Sequence, residues 1–131
     1  MIARETREEA AYAALRIVAG AMFLFHGGQK LFGWLANGAG PAAWSQVWIG
    51  GAIELVCGTL VAIGLRTRPA AFLASGTMAV AYFQFHWKLE VAGWRWLPAV
   101  NHGELAALYC LVFLFLAARG DGRASVGGLV R

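Results

Sequence analysis

Apolar residues run in four long stretches along the chain, at roughly 11–34, 47–65, 69–87 and 100–118. A helix rises 1.5 Å per residue, so crossing a hydrocarbon core about 30 Å thick takes about 20 apolar residues. Each stretch is close to that length. The pattern predicts an all-α fold, an integral membrane four-helix bundle formed by residues 1–131 as a single transmembrane domain. The connections carry their own signals. Ala36-Asn37-Gly38-Ala39-Gly40-Pro41 is a Gly/Pro loop. Spans two and three are joined only by Arg66-Thr67-Arg68, with Pro69 suited to a helix start. So short a link makes its two helices antiparallel neighbours. Lys88, Glu90, Arg95 and Pro98 mark the third connection, and a Gly-rich tail ends the chain.

Composition agrees with this solvent. Hydrophobic residues are 60% before the 17 glycines are counted, and charged residues are 14%. Soluble proteins have about 45–50% apolar residues with glycine included and about 25% charged. A soluble domain of 131 residues exposes too much surface for so few charges to cover. A soluble monomer is excluded, and so is intrinsic disorder, which is apolar-poor and charge-rich. The net charge of +4 does not indicate nucleic acid, because the basic residues are scattered and form no stripe interleaved with aromatics. Cys57 and Cys110 have no metal or redox spacing and read as buried small hydrophobes. The first residues, with Arg4 and Arg7 against Glu5, Glu8 and Glu9, lack the basic start of a signal peptide, so the first span is expected to be retained.

Charge placement gives the expected orientation. Arg4, Arg7, Arg66, Arg68, Arg119, Arg123 and Arg131 fall on one side, while Lys30, Lys88 and Arg95 fall on the other. Basic residues collect in the cytoplasm, so both termini are expected there. Trp34, Trp44, Trp48, Trp87, Trp94 and Trp96 then all lie at or near the outer face. An outer aromatic belt and an aromatic-lined pocket both fit that one-sidedness.

Ionisable groups inside spans are costly and are candidate functional sites. Counted from the outer ends at 1.5 Å per residue, Lys30 and Glu104 lie about 6 Å deep, Glu54 about 10 Å and His26 about 12 Å. His86, Asn101 and His102 lie near the surface. Arg16, Thr59 and Ser75 form a sparser inner layer and are read as structural polar residues. Helical spacing aligns Arg16, Gly20, Phe23, Gly27 and Lys30 on one stripe, Gly50, Glu54 and Gly58 on another, and Asn101, Glu104 and Leu108 on a third. The economical pairing is Lys30 with Glu104 and His26 with Glu54, although depth alone does not choose among partners. These charges serve either as interhelical glue or as a proton-exchanging site, with Glu54, Glu104 and His26 as relay candidates. No haem, metal or nucleotide motif is present: the three histidines differ in depth, and Lys30 opposes a cation.

These residues resemble the DoxX/DoxD-like family of small four-helix bacterial membrane proteins. The resemblance rests on Leu15-Arg16-Ile17, His26-Gly27-Gly28-Gln29-Lys30-Leu31-Phe32-Gly33, Gly51-Ala52-Ile53-Glu54-Leu55-Val56-Cys57-Gly58 and Gly64-Leu65-Arg66-Thr67-Arg68. Asn101-His102-Gly103-Glu104-Leu105-Ala106 and Gly120-Asp121-Gly122-Arg123-Ala124-Ser125 complete it over nearly the whole chain. The family pattern often closes with an Asp after that Ser, where this chain has Val126-Gly127. The resemblance implies quinone-linked sulfur oxidation, as in the membrane subunit of a thiosulfate:quinone oxidoreductase, or thiol and oxidative-stress complexes with soluble redox partners.

The expectation is therefore an auxiliary oxidoreductase subunit, without an intrinsic cofactor, that binds a quinone-like ligand in an outer-leaflet polar pocket. His26, Lys30, Glu54, Asn101 and Glu104 would contact the ligand, with Trp48 or Trp87 packed on its ring. The bilayer, a soluble redox protein and a second copy of the chain are the partners considered; nucleic acid is not. The alternatives are a non-catalytic scaffold for a redox complex and a small-anion carrier using Lys30 and His26.

Overall fold

The computed structural model describes residues 2–35, 38 and 40–130. Part of the loop after the first span (Ala36, Asn37, Ala39) and Arg131 of the basic count lie outside the described residues. The described residues are helical, without strands. Four long elements are α1 (Ile2–Phe32), α2 (Gln46–Ile63), α3 (Thr67–Ala81) with a π-helical continuation (Tyr82–Trp87), and α5 (Glu104–Arg119). Two short helices, α4 (Pro98–Asn101) and α6 (Val126–Leu129), precede and follow α5.

Local chemistry sets these bounds. Ser45 caps α2, its Oγ accepting from the Trp48 N–H at 3.2 Å. Gly64 ends α2 in the left-handed conformation (φ 70°), and the Leu65 N–H returns to Leu60 O at 2.9 Å. That closure needs glycine twice over, because a Cβ at Gly64 would also fall 2.6 Å from the buried Arg16 guanidinium. The fourth expected span is interrupted. Pro98 starts the single turn of α4, His102 turns left-handed at φ 58°, and the long helix begins only at Glu104. The third widens at Tyr82 into the π-helical turn, closed by the Lys88 N–H on Phe83 O at 2.9 Å.

α1 and α2 approach most closely. A Cβ on Gly27 would lie 2.6 Å from Gly51 O, and one on Gly58 would lie 2.7 Å from Gly20 O. Removing side chains where backbones meet is how helices associate in lipid, where dispersion contacts replace the hydrophobic drive. α3 packs on α5 and α2 bridges to α3, whereas α1 and α5 stand further apart. Aromatic rings fill that wider seam: Phe23 of α1 lies 4.6 Å from Phe113 and 5.7 Å from Tyr109, centroid to centroid.

α1 and α2 are each long and apolar enough to cross a membrane, yet only 33% and 28% of their most apolar stretches are buried. Large side chains such as Val18, Met22 and Phe25 of α1, Phe72 and Leu73 of α3, and Leu108 and Leu111 of α5 point outward. A soluble core helix would bury such residues; a lipid-facing one exposes them.

The inner polar layer divides by role. Arg16, 1% exposed, donates from Nη1 to Val61 O and Ala62 O at 2.7 Å each and from Nη2 to Ala124 O at 2.5 Å. It thereby bonds to carbonyls of the last turn of α2 and holds the tail against them. Ser75 ties α3 to α5 through Cys110 O at 2.7 Å. Thr59 is exposed and bonds only back to Leu55 O of its own helix, so it joins no two elements.

Candidate functional site

Side chains from all four long elements converge on one cavity of about 440 Å³. From α1 come Phe23, His26 and Lys30; from α2, Gln46, Val47, Gly50 and Glu54. The third element and its π-helical end supply Thr77, Met78, Val80, Ala81, Phe85 and His86. His102, Leu105, Ala106 and Tyr109 complete the wall from the α5 side. The volume lies within the range of small-molecule sites, and the lining is mainly apolar with a few convergent polar groups. Gly50 helps to open this space, since a Cβ there would meet nothing within 4 Å.

The charged centre differs from the expected pairing. Lys30 Nζ donates to Glu54 Oε1 at 2.5 Å, so Lys30 pairs with Glu54 and not with Glu104. The close α1–α2 packing permits this, because a Cβ on Gly51 would lie 2.8 Å from Lys30 Cβ. The pair is asymmetric: the Lys30 side chain is 35% exposed and that of Glu54 3%. His26, expected beside Glu54, instead presents its ring edge-on to Tyr109, with centroids 6.5 Å apart. Glu104 stands exposed in the first turn of α5, off the cavity wall and without an ion pair among the described residues. Its carboxylate there suits the positive end of the helix dipole.

Two atoms in this wall have no hydrogen-bond partner among the described residues, Glu54 Oε2 and the Tyr109 hydroxyl. Tyr109 escapes a charge-based reading because tyrosine is counted with the apolar residues, although a phenol in mid-span needs a partner. His86 also lines the cavity, and its Nδ1 faces Asn101 O at 3.3 Å. A carbonyl only accepts, so Nδ1 is the donor in this contact.

Other expected residues lie nearby but outside this wall. Asn101 braces the turn that precedes α5, donating to Arg95 O at 2.9 Å and to the Tyr82 hydroxyl at 3.1 Å. Trp48 packs on Trp44 at 4.9 Å. Trp87 donates to Glu90 O at 3.0 Å. Trp87 and Asn101 instead line a second cavity of about 540 Å³, which shares Phe85, His86 and His102 with the first. The rings of the main cavity are Phe23, Phe85 and Tyr109, none of them tryptophan. Both cysteines are free thiols, Cys57 buried and Cys110 beside Ser75. No group of three or more metal-ligating side chains occurs among the described residues.

A helical fold with an apolar outer surface and a mainly apolar cavity that holds the Lys30–Glu54 ion pair defines a membrane-associated protein. The DoxX family model matches residues 11–87. An uncharacterized protein of Haemophilus influenzae is 38% identical over 117 residues, which cover 87% of this chain and 86% of that protein. The chain belongs to the DoxX family. No solved structure matches it.

Proposed function

We propose that this protein is a four-span bundle of the bacterial inner membrane, with both termini cytoplasmic, that serves as the membrane subunit of a quinone-linked oxidoreductase system of sulfur, thiol or oxidative-stress chemistry. Its cavity, in the outer leaflet by this orientation, takes a quinone-like ligand. The observation that carries the proposal is the cavity itself, apolar enough for a ring and holding the Lys30–Glu54 pair with two unpartnered polar atoms beside it. Lys30 retains protons for a ligand oxygen, His26 and Glu54 can exchange protons, and Phe85 or Tyr109 can pack on the ring. The seven-to-three split of basic side chains supports the orientation. Electrons would come from a separate redox partner, which makes this an auxiliary subunit.

The test is to extract the purified protein for bound quinones and titrate it with a short-chain quinone, then repeat with Glu54→Gln and His26→Ala. The expected result is co-extracted quinone and altered binding in at least one variant. No binding in the parent, or unchanged binding in both variants, would remove the proposal.

A scaffold role is the second reading, favoured by one observation: the Lys30–Glu54 pair joins the two most closely packed helices. It predicts that the same variants lose folding or partner association without any ligand effect. An anion carrier is less well supported, because Glu54 already neutralises Lys30.

A further inference from the structure

The hydrogen-bonding needs of the cavity are specific enough to separate two forms of one ligand. Glu54 is 2% exposed, and its Oε1 is occupied by Lys30 while its Oε2 has no partner among the described residues. A carboxylate paired with an ammonium only accepts, so the missing partner is a donor. Tyr109, 6% exposed, walls the same cavity with a hydroxyl that is also unpartnered and can donate or accept. A quinone carries only acceptors at its two carbonyl oxygens. It could accept from Lys30 or Tyr109, but it would leave Glu54 Oε2 stranded. Lys30 is half-exposed, so its remaining protons do not need the ligand; the buried oxygen does.

We infer that the cavity is built for a ring bearing a hydroxyl donor, so that within the ligand class proposed above the reduced quinol binds in preference to the quinone. This rests on the proposed ligand class. A quinol hydroxyl that donates to Glu54 Oε2 and accepts from the Tyr109 hydroxyl completes both unpartnered groups at once. No electron transfer is part of the inference; it concerns which form the empty hydrogen-bond positions fit.

Decylubiquinol and decylubiquinone share substituents and tail; the quinol carries two further hydrogens, on these oxygens, and its ring is aromatic. Both are titrated under argon into the full-length protein in lipid nanodiscs, and binding is read from tryptophan fluorescence. The quinol is expected to bind at least about tenfold more tightly, the size of effect that one hydrogen bond to a buried charge supplies. Glu54→Gln, whose amide can donate to a carbonyl, is expected to erase or reverse the preference. Tyr109→Phe should shrink it. Should Glu54→Gln fail to accumulate, the double variant Lys30→Met/Glu54→Gln removes both charges and is expected to bind the two forms alike. Equal or tighter quinone binding by the parent overturns the inference and leaves the ligand class standing. Binding of neither form overturns both.

Discussion

Glu9 shows how one side chain on the basic end ties distant parts of the chain together. It precedes the first apolar stretch and accepts from Arg119 Nη2 at 2.5 Å and from the Arg123 N–H at 3.2 Å. The Arg119 guanidinium also lies 4.2 Å above the Tyr12 ring. The Arg123 N–H first, and then Arg119, hold the Glu9 carboxyl below its ordinary value of 4.5. A depressed carboxylate contributes stability above its unfolded value and loses it as pH falls through the folded one. The tail should therefore loosen in acid, below about pH 4, seen as faster amide exchange at Arg123. Glu9→Gln should exchange quickly at neutral pH as well and respond little to acid; a parent tail indifferent to acid would contradict the clamp.

The same scale shows what residue type and depth can reveal. Glu54 stands out in the sequence as a carboxylate deep in an apolar stretch, and it is 2% exposed. Its partner is not legible there. Depth gives height along a helix but not rotation about it, so Lys30 and His26 are equally admissible until the helix faces are known. Arg16 is legible as structural, but its partners, the carbonyls of α2 and of the tail, are backbone groups that no side-chain pattern displays.

At the scale of elements, the α1–α2 pair is the part most clearly written in the sequence. Gly20, Gly27 and Lys30 share a stripe, Gly58 shares one with Glu54, and these faces meet. Gly50 sits on that second stripe as well, yet it faces open cavity. Spacing shows which small residues share a face, not which of them a neighbouring helix covers. The interruption at His102–Gly103 and the π-helical turn are likewise hidden, because apolar character continues through both while the backbone departs from the regular helix. Gly27→Ala tests the close packing. Its Cβ would lie 2.6 Å from Gly51 O, backbone that cannot move aside cheaply, so the protein should lose about 1–3 kcal/mol of stability. Thermal unfolding in detergent should show a lower midpoint, whereas Gly76→Ala, where a Cβ meets nothing within 4 Å, should not. Equal midpoints would mean that the helices do not touch there.

For the whole molecule, the two ends have different chemistry. Arginines, backbone carbonyls and the tail lock one end, while the other holds the cavity between four elements. Each end leaves two buried polar atoms without partners among the described residues, Arg16 Nε and Thr67 Oγ1 at the locked end and Glu54 Oε2 and the Tyr109 hydroxyl at the other. Only the second two belong to side chains that line the cavity. The proposed function stands on that contrast, and a variant that fills the cavity without disturbing its walls addresses it most directly. Gly50→Leu is that variant, because nothing lies within 4 Å of the added Cβ and leucine favours helix over glycine. Quinol titration of the purified parent and Gly50→Leu proteins in nanodiscs should give saturable single-site binding in the parent. It should give binding weakened at least about tenfold in a variant with an undiminished thermal midpoint. Equal binding by both proteins would place the ligand elsewhere and contradict the account.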